Sequence, residues 1–243
     1  MTNNISKNEF DIVADKLKKT YGNLDALKGV TLNIRKGEFY TLFGPNGAGK
    51  TTLIKLLATL TAPTSGTLRV SALDAEREVK TIRSNIGVIS HDAYLYENLT
   101  ALENIIFFAE LYGLDDIENK ARTVIDQVGL GSRLNDLVRT FSRGMKQRLT
   151  VARSIVHNPQ ILLLDEPYTG LDLAGAQIFG NMLADLKNQG RTILMTTHNI
   201  DEGLDLSDRV GILFNGKIVF EGSSSELDPT KFKELYISKV KSS

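Results

Sequence analysis

The chain has no cysteine, which excludes a disulfide scaffold, a Cys-ligated zinc protein and a thiol enzyme. It also lacks an excess of either charge: 29 Lys and Arg balance 29 Asp and Glu. No global field therefore attracts nucleic acid or an acidic membrane surface, and no nucleic-acid partner is expected. The opening MTNNISKNEF has neither the basic start nor the apolar stretch of a signal peptide, and no uncharged apolar run approaches the roughly 18 residues that span a bilayer. A membrane role would need another protein as anchor. What is present is the composition of a folding chain. Its 243 residues are 42% apolar and 24% charged, too apolar for disorder and of a size for one α/β domain with a subdomain.

Periodicity divides the chain into three parts. Residues 10–21, 27–34 and 38–43 read as strands. In the second of these, strict alternation sets Leu27, Gly29 and Thr31 against Val30, Leu32 and Ile34. Helical spacing of Leu53, Ile54, Leu57 and Leu60 marks a helix over residues 50–60, stopped near Pro63 and Gly66, with strands to follow at 67–70 and 86–89. From Thr100 the period becomes helical throughout, with Leu102, Ile105, Ala109 and Tyr112 on one face. Strands return at residues 161–164, 192–196, 210–214 and 217–220, around a helix at 173–187. Apolar strands alternating with helices imply an α/β fold with a largely parallel, buried sheet. These parts give a core over about residues 8–90 and 158–228, a helical insert over about 92–157, and a short polar tail over 229–243.

Residues 44–51, GPNGAGKT, fit G-x-x-x-x-G-K-[ST] and follow a strand while opening a helix, as phosphate binding requires. Glycine lets backbone N–H groups turn toward phosphate without an intervening Cβ, and the helix N-terminus adds favourable partial charge. Gly44, Pro45, Asn46, Gly47, Ala48, Gly49, Lys50, Thr51 and Thr52 are therefore the candidate ATP-binding loop. In such a loop Lys50 reaches the β and γ phosphates and the Thr51 hydroxyl binds Mg²⁺. Downstream, ILLLDEP at residues 161–167 is an apolar strand ending in two carboxylates. Asp165 suits holding Mg²⁺, and Glu166 suits polarising an attacking water. His198 directly follows another apolar strand, at the strand edge where ligands of α/β sheets sit, and is a candidate γ-phosphate sensor.

These motifs in this order resemble the nucleotide-binding subunit of ABC transporters, over about residues 10–227. The order is Tyr21, GPNGAGKT, a helical insert, FSRGMKQRL at residues 141–149, ILLLDEP, GLD at 170–172, and His198. The resemblance implies a P-loop NTPase core with an antiparallel N-terminal β part. It also implies an ATPase in which two subunits, as homodimer or heterodimer, enclose two ATP molecules with Mg²⁺. Each site would combine one chain's phosphate loop with the other's signature loop, here Phe141, Ser142, Arg143, Gly144 and Met145, with a D-loop of Gly170, Leu171 and Asp172. Lys50, Glu166 and His198 carry the catalytic roles in that scheme, and the Tyr21 ring stacks on adenine.

Ser142 suits an N-cap for a helix over residues 145–156, its hydroxyl facing a γ-phosphate across the interface. Arg143 and Met145 depart from the family's usual LSGGQ, and Arg143 is either a phosphate contact or a solvated loop residue. His91 stands where the family normally has a Gln near the metal, and imidazole suits Mg²⁺ poorly. Tyr94, Tyr96, Phe107, Phe108 and Tyr112 surround the insert. Most are expected in the core and some exposed, where the family receives a helix of an integral membrane permease. The subunit would then lie in the cytoplasm, peripheral to the inner face of the membrane. Within the family, the signature and the His91 segment look like haem exporters of cytochrome c maturation or general exporters. A soluble ABC ATPase of DNA repair or translation is the alternative. A small-molecule kinase or GTPase lacks support, because no guanine-reading N-K-x-D is present.

Overall fold

The computed structural model describes residues 9–90 and 94–241. Its first strands, β1 (Phe10–Tyr21) and β2 (Leu24–Arg35), pair antiparallel, and after β3 (Phe39–Phe43) and α1 (Lys50–Leu57) come β4 (Ser65–Val70) and β5 (Leu73–Asp74). Together β2, β1, β4 and β5 form an antiparallel four-stranded sheet in that order. One face is apolar and closes over α1. The alternation expected in β2 fails at one point: Leu27 and Val30 are both buried, although strict alternation puts them on opposite faces. Gly29 adopts φ 99° and is the extra residue of a bulge, since Leu17 pairs with Val30 and Lys18 with Lys28. Helix α1 also stops short of Leu60, which is exposed beyond Thr59 at φ 56°.

The chain continues through α2 (Val79–Ser84), β6 (Ile86–Ile89) and the helical insert, α3 (Ala101–Leu111), α4 (Ile117–Gln127) and α5 (Arg143–Ile155). A capping box starts α3: Thr100 accepts from the Glu103 backbone, and the Glu103 carboxylate accepts from the Thr100 backbone. The insert is not helical throughout, because Thr100 forms an isolated bridge with Leu137. Then come β7 (Ile161–Asp165), α6 (Leu173–Asn188), β8 (Thr192–Thr197), α7 (Ile200–Gly203), β9 (Arg209–Phe214), β10 (Lys217–Ser223) and α8 (Pro229–Lys241). The six-stranded sheet runs β10-β9-β3-β8-β7-β6, parallel except for β10. Strands β3, β7 and β8 are buried at every position, which is why their sequences run apolar without alternation.

Helices α3 to α6 share one apolar cluster with the sheet, so α5 belongs to insert and core alike. Two expectations are corrected. The segment after Pro229 is the helix α8 rather than a polar tail, and its Phe232 is buried. The five insert aromatics do not enter the core: Tyr94, Tyr96 and Tyr112 are exposed and Phe107 and Phe108 half-buried. Among the described residues, no helix is long and apolar enough to cross a membrane.

Candidate nucleotide site

Parallel pairing brings three strand ends together. With β8 between β3 and β7, Phe43 lies opposite Thr197 and Asp165 opposite Thr196. The phosphate loop, the carboxylate pair and His198 therefore emerge side by side at the C-terminal edge of the sheet. They line one open cleft of about 730 Å³ with Tyr21 and Thr51.

The loop's backbone is fixed by contacts that exclude side chains. A Cβ at Gly49, where φ is 108°, would lie 2.6 Å from the Ala26 carbonyl oxygen and 2.8 Å from Leu27. At Gly44 it would run into the Leu213 carbonyl. Lys50 is buried, and its ammonium donates to the carbonyls of Gly44 at 2.6 Å and Pro45 at 3.1 Å. Its Nζ also lies 3.0 Å from Glu166 Oε1, an ion pair whose angle gives that oxygen no hydrogen bond.

Glu166 occupies the left-handed region at φ 51°, a conformation uncommon for a non-glycine residue and found at sites where the surrounding structure enforces it. Its Oε2 lies 2.8 Å from His198 Nδ1, which donates to it in the tautomer protonated there. Asp165 is buried and accepts from the Thr196 hydroxyl at 2.7 Å, leaving its other oxygen for the cleft. Asp165 and Thr51 both line the cleft and offer it oxygen atoms, the donor chemistry that Mg²⁺ prefers.

The residues expected to form the signature loop lie elsewhere. Ser142 caps α5 by accepting from the Met145 N–H at 3.3 Å, so the helix begins at Arg143, two residues before the expected start. Arg143 is exposed, and its guanidinium lies against Gly170, filling the space a side chain there would need. Asp172 caps α6, accepting from Gly175 at 2.7 Å. Ser142, Arg143, Gly144, Met145, Gly170, Leu171 and Asp172 line a second cleft that shares no residue with the first, and Phe141 is buried beneath it. Gln147 of α5 ties the two regions together, donating to the Pro167 carbonyl at 2.9 Å.

Sequence reasoning missed Asn215 and Gly216, which line the nucleotide cleft from the β9–β10 turn. Gly216 accepts from Lys28 at 2.8 Å and donates to Ala48 at 3.0 Å, so this turn braces the phosphate loop. An Asn-Gly pair between two apolar strands is the signal that could have found it. His91 and its neighbour Asp92 lie outside the described residues.

The comparisons agree with this geometry. Residues 27–169, more than half the chain, match the family model described as ABC transporter. The linearmycin resistance ATP-binding protein LnrL of Bacillus subtilis is 35% identical over 88% of this chain and 70% of its own length. The daunorubicin/doxorubicin resistance ATP-binding protein DrrA of Streptomyces peucetius is 39% identical over 87% of this chain and 64% of its own. Among solved structures, a dimeric post-hydrolysis state of the ATP-binding cassette MJ0796 bound to ADP and Pi superposes with a TM-score of 0.80. It is 28% identical, covering 88% of this chain and 98% of that one. With phosphate loop, carboxylate pair and histidine on adjoining strand ends, the chain belongs to the ABC transporter family, as an ATP-binding and ATP-hydrolysing subunit.

Proposed function

We propose that the protein is one half of a dimeric ATPase that drives a separate membrane permease in export. The observation that carries this reading is the separation of the two clefts. The phosphate loop has no signature loop of its own chain beside it, and the Ser142-capped end of α5 faces outward. Two copies, or this chain and a similar one, complete each other's sites. The dimeric form of the MJ0796 structure supports that arrangement. Tyr94, Tyr96 and Tyr112 expose apolar rings on the insert, where a permease segment finds an apolar surface. Docking there places the subunit on the cytoplasmic face of the membrane. Both named relatives are resistance proteins, which favours export of a small toxic molecule over the haem-exporter reading.

In this reading Tyr21, 45% exposed at the cleft mouth, stacks on adenine. The loop N–H groups and Lys50 hold the phosphates. Asp165 and Thr51 would hold Mg²⁺ through oxygen atoms, and the ion would supply neutralisation of phosphate charge. Glu166 orients and deprotonates the attacking water, while His198 keeps the carboxylate turned toward it and reads the γ-phosphate.

Glu166→Gln tests the assignment. It keeps the shape and removes the base, so turnover should fall by about 10²-fold or more with ATP affinity retained. The variant should elute as a dimer with Mg-ATP in size-exclusion chromatography. Normal hydrolysis by this variant would sink the assignment.

A further inference from the structure

Phe43 ends β3 one residue before the phosphate loop, and two helices close on its buried ring. On one side is Gly203 at the end of α7, where a Cβ would lie 2.5 Å from the Phe43 ring and 2.8 Å from Thr41. Helix α7 thus rests on the ring without room for a side chain. On another side is Phe232 of α8, 1% exposed, with its ring centroid 5.2 Å from that of Phe43 and tilted by 60°. Phe220 of β10 backs Phe232 at 6.1 Å. Leu235 and Tyr236 of α8 join the same cluster, and α8 packs on both α7 and β9.

Helix α7 is in turn fastened to the loop that carries His198. Asn199 accepts from the Asp201 N–H at 3.1 Å and donates to Glu202 at 2.9 Å, and the Thr197 hydroxyl donates to the other Glu202 oxygen at 3.3 Å. His198 sits between these two anchored neighbours. Burial raises the pKa of the Tyr236 hydroxyl, and the Glu166 carboxylate adds to the shift.

We propose that α8 is a positioning element for hydrolysis: Phe232, seated on Phe43, holds α7 in place and through Asn199 and Glu202 keeps His198 directed at Glu166. The inference rests on Glu166 and His198 being the hydrolytic pair. Among the described residues none of α8 lines the nucleotide cleft, so its loss acts on turnover and not on binding. Small displacements at a reacting centre cost far more in rate than in affinity.

The test is Phe232→Ala in the full chain, with ATP affinity measured by a fluorescent nucleotide and kcat normalised to nucleotide-binding sites. The expected result is a kcat about tenfold lower with affinity within about twofold of wild type. Phe232→Leu keeps apolar volume but loses the ring contact, and should fall between, at about threefold. Wild-type kcat in folded Phe232→Ala would overturn the proposal, as would parallel loss of affinity and kcat, which marks α8 as a plain stability element. If Phe232→Ala does not accumulate folded, Phe232→Leu decides by the same split, wild-type kcat there overturning the proposal. Glu166→Gln is the control: its retained activity would remove the catalytic pair and this proposal with it, whereas an inactive Glu166→Gln beside a fully active Phe232→Ala defeats the α8 inference alone.

Discussion

His157 Nε2 lies 3.1 Å from the Ile86 carbonyl oxygen, and the imidazole stacks on Tyr112 at 3.8 Å with an 8° angle. The contact joins the end of α3 to β6, and Nδ1 is buried without a hydrogen-bond partner among the described residues. Burial above all, with the Arg191 charge adding to it, pushes the imidazole pKa from 6.5 down to about 4, against the Ile86 hydrogen bond. The native state therefore refuses a proton that the unfolded chain accepts. The stability this gives is complete above about pH 6.5, is lost progressively as pH falls toward about 4, and levels off below. Urea midpoints measured from pH 7.5 to 4.5 should show a slope that His157→Gln makes shallower, by at most about 1.4 kcal/mol per pH unit. Equal slopes in the two proteins would show that His157 does not titrate differently on unfolding. Residues of this kind were silent in the sequence. Lys50, Asp165 and Glu166 were legible because each sits in a motif with a mechanism at an apolar strand's end, and His198 because it directly follows such a strand. His157 takes its character from burial and stacking between distant elements, which no local pattern records.

At the scale of elements, strands buried on both faces were plain in the sequence, and those that depart from a single period were not. Phe232, Leu235 and Tyr236 form a stripe among lysines, glutamate and serine, so α8 reads as polar until the Phe43 cluster supplies its partner. In β2 the alternation is broken by one glycine, and the break matters for the site. Leu27 and Ala26, on the far side of the bulge, are the atoms that crowd Gly49 and so shape the phosphate loop. Gly29→Val forces a β-branched residue to φ 99° or slips the register. It should destabilise the fold by about 1–3 kcal/mol in urea unfolding. ATP affinity should weaken with it, because the floor of the loop moves. A Gly29→Val protein with unchanged stability would mean the bulge migrates freely along β2.

If the proposed dimer is a homodimer, its two copies close into a two-fold pair, in which each interface patch meets its own copy and two equal sites result. Each site then takes Lys50 from one chain and Ser142 from the other, which gives a test that point mutants alone cannot. Lys50→Ala removes the phosphate ammonium of its own chain, and Ser142→Arg places bulk and charge where the partner's γ-phosphate must sit. Either protein alone should hydrolyse no ATP above background, since every site in its homodimer carries one defect. In a mixed dimer both defects fall in one site and the other is intact. Random pairing of equal amounts makes about half the dimers mixed, each with one good site of two, so activity should return to about a quarter of wild type. Return of activity on mixing, absent in each parent, is measurable by phosphate release at constant total protein. Failure of the mixture to recover, with both parents folded and dimerising, would place Ser142 in its own chain's site and remove the argument from separated clefts.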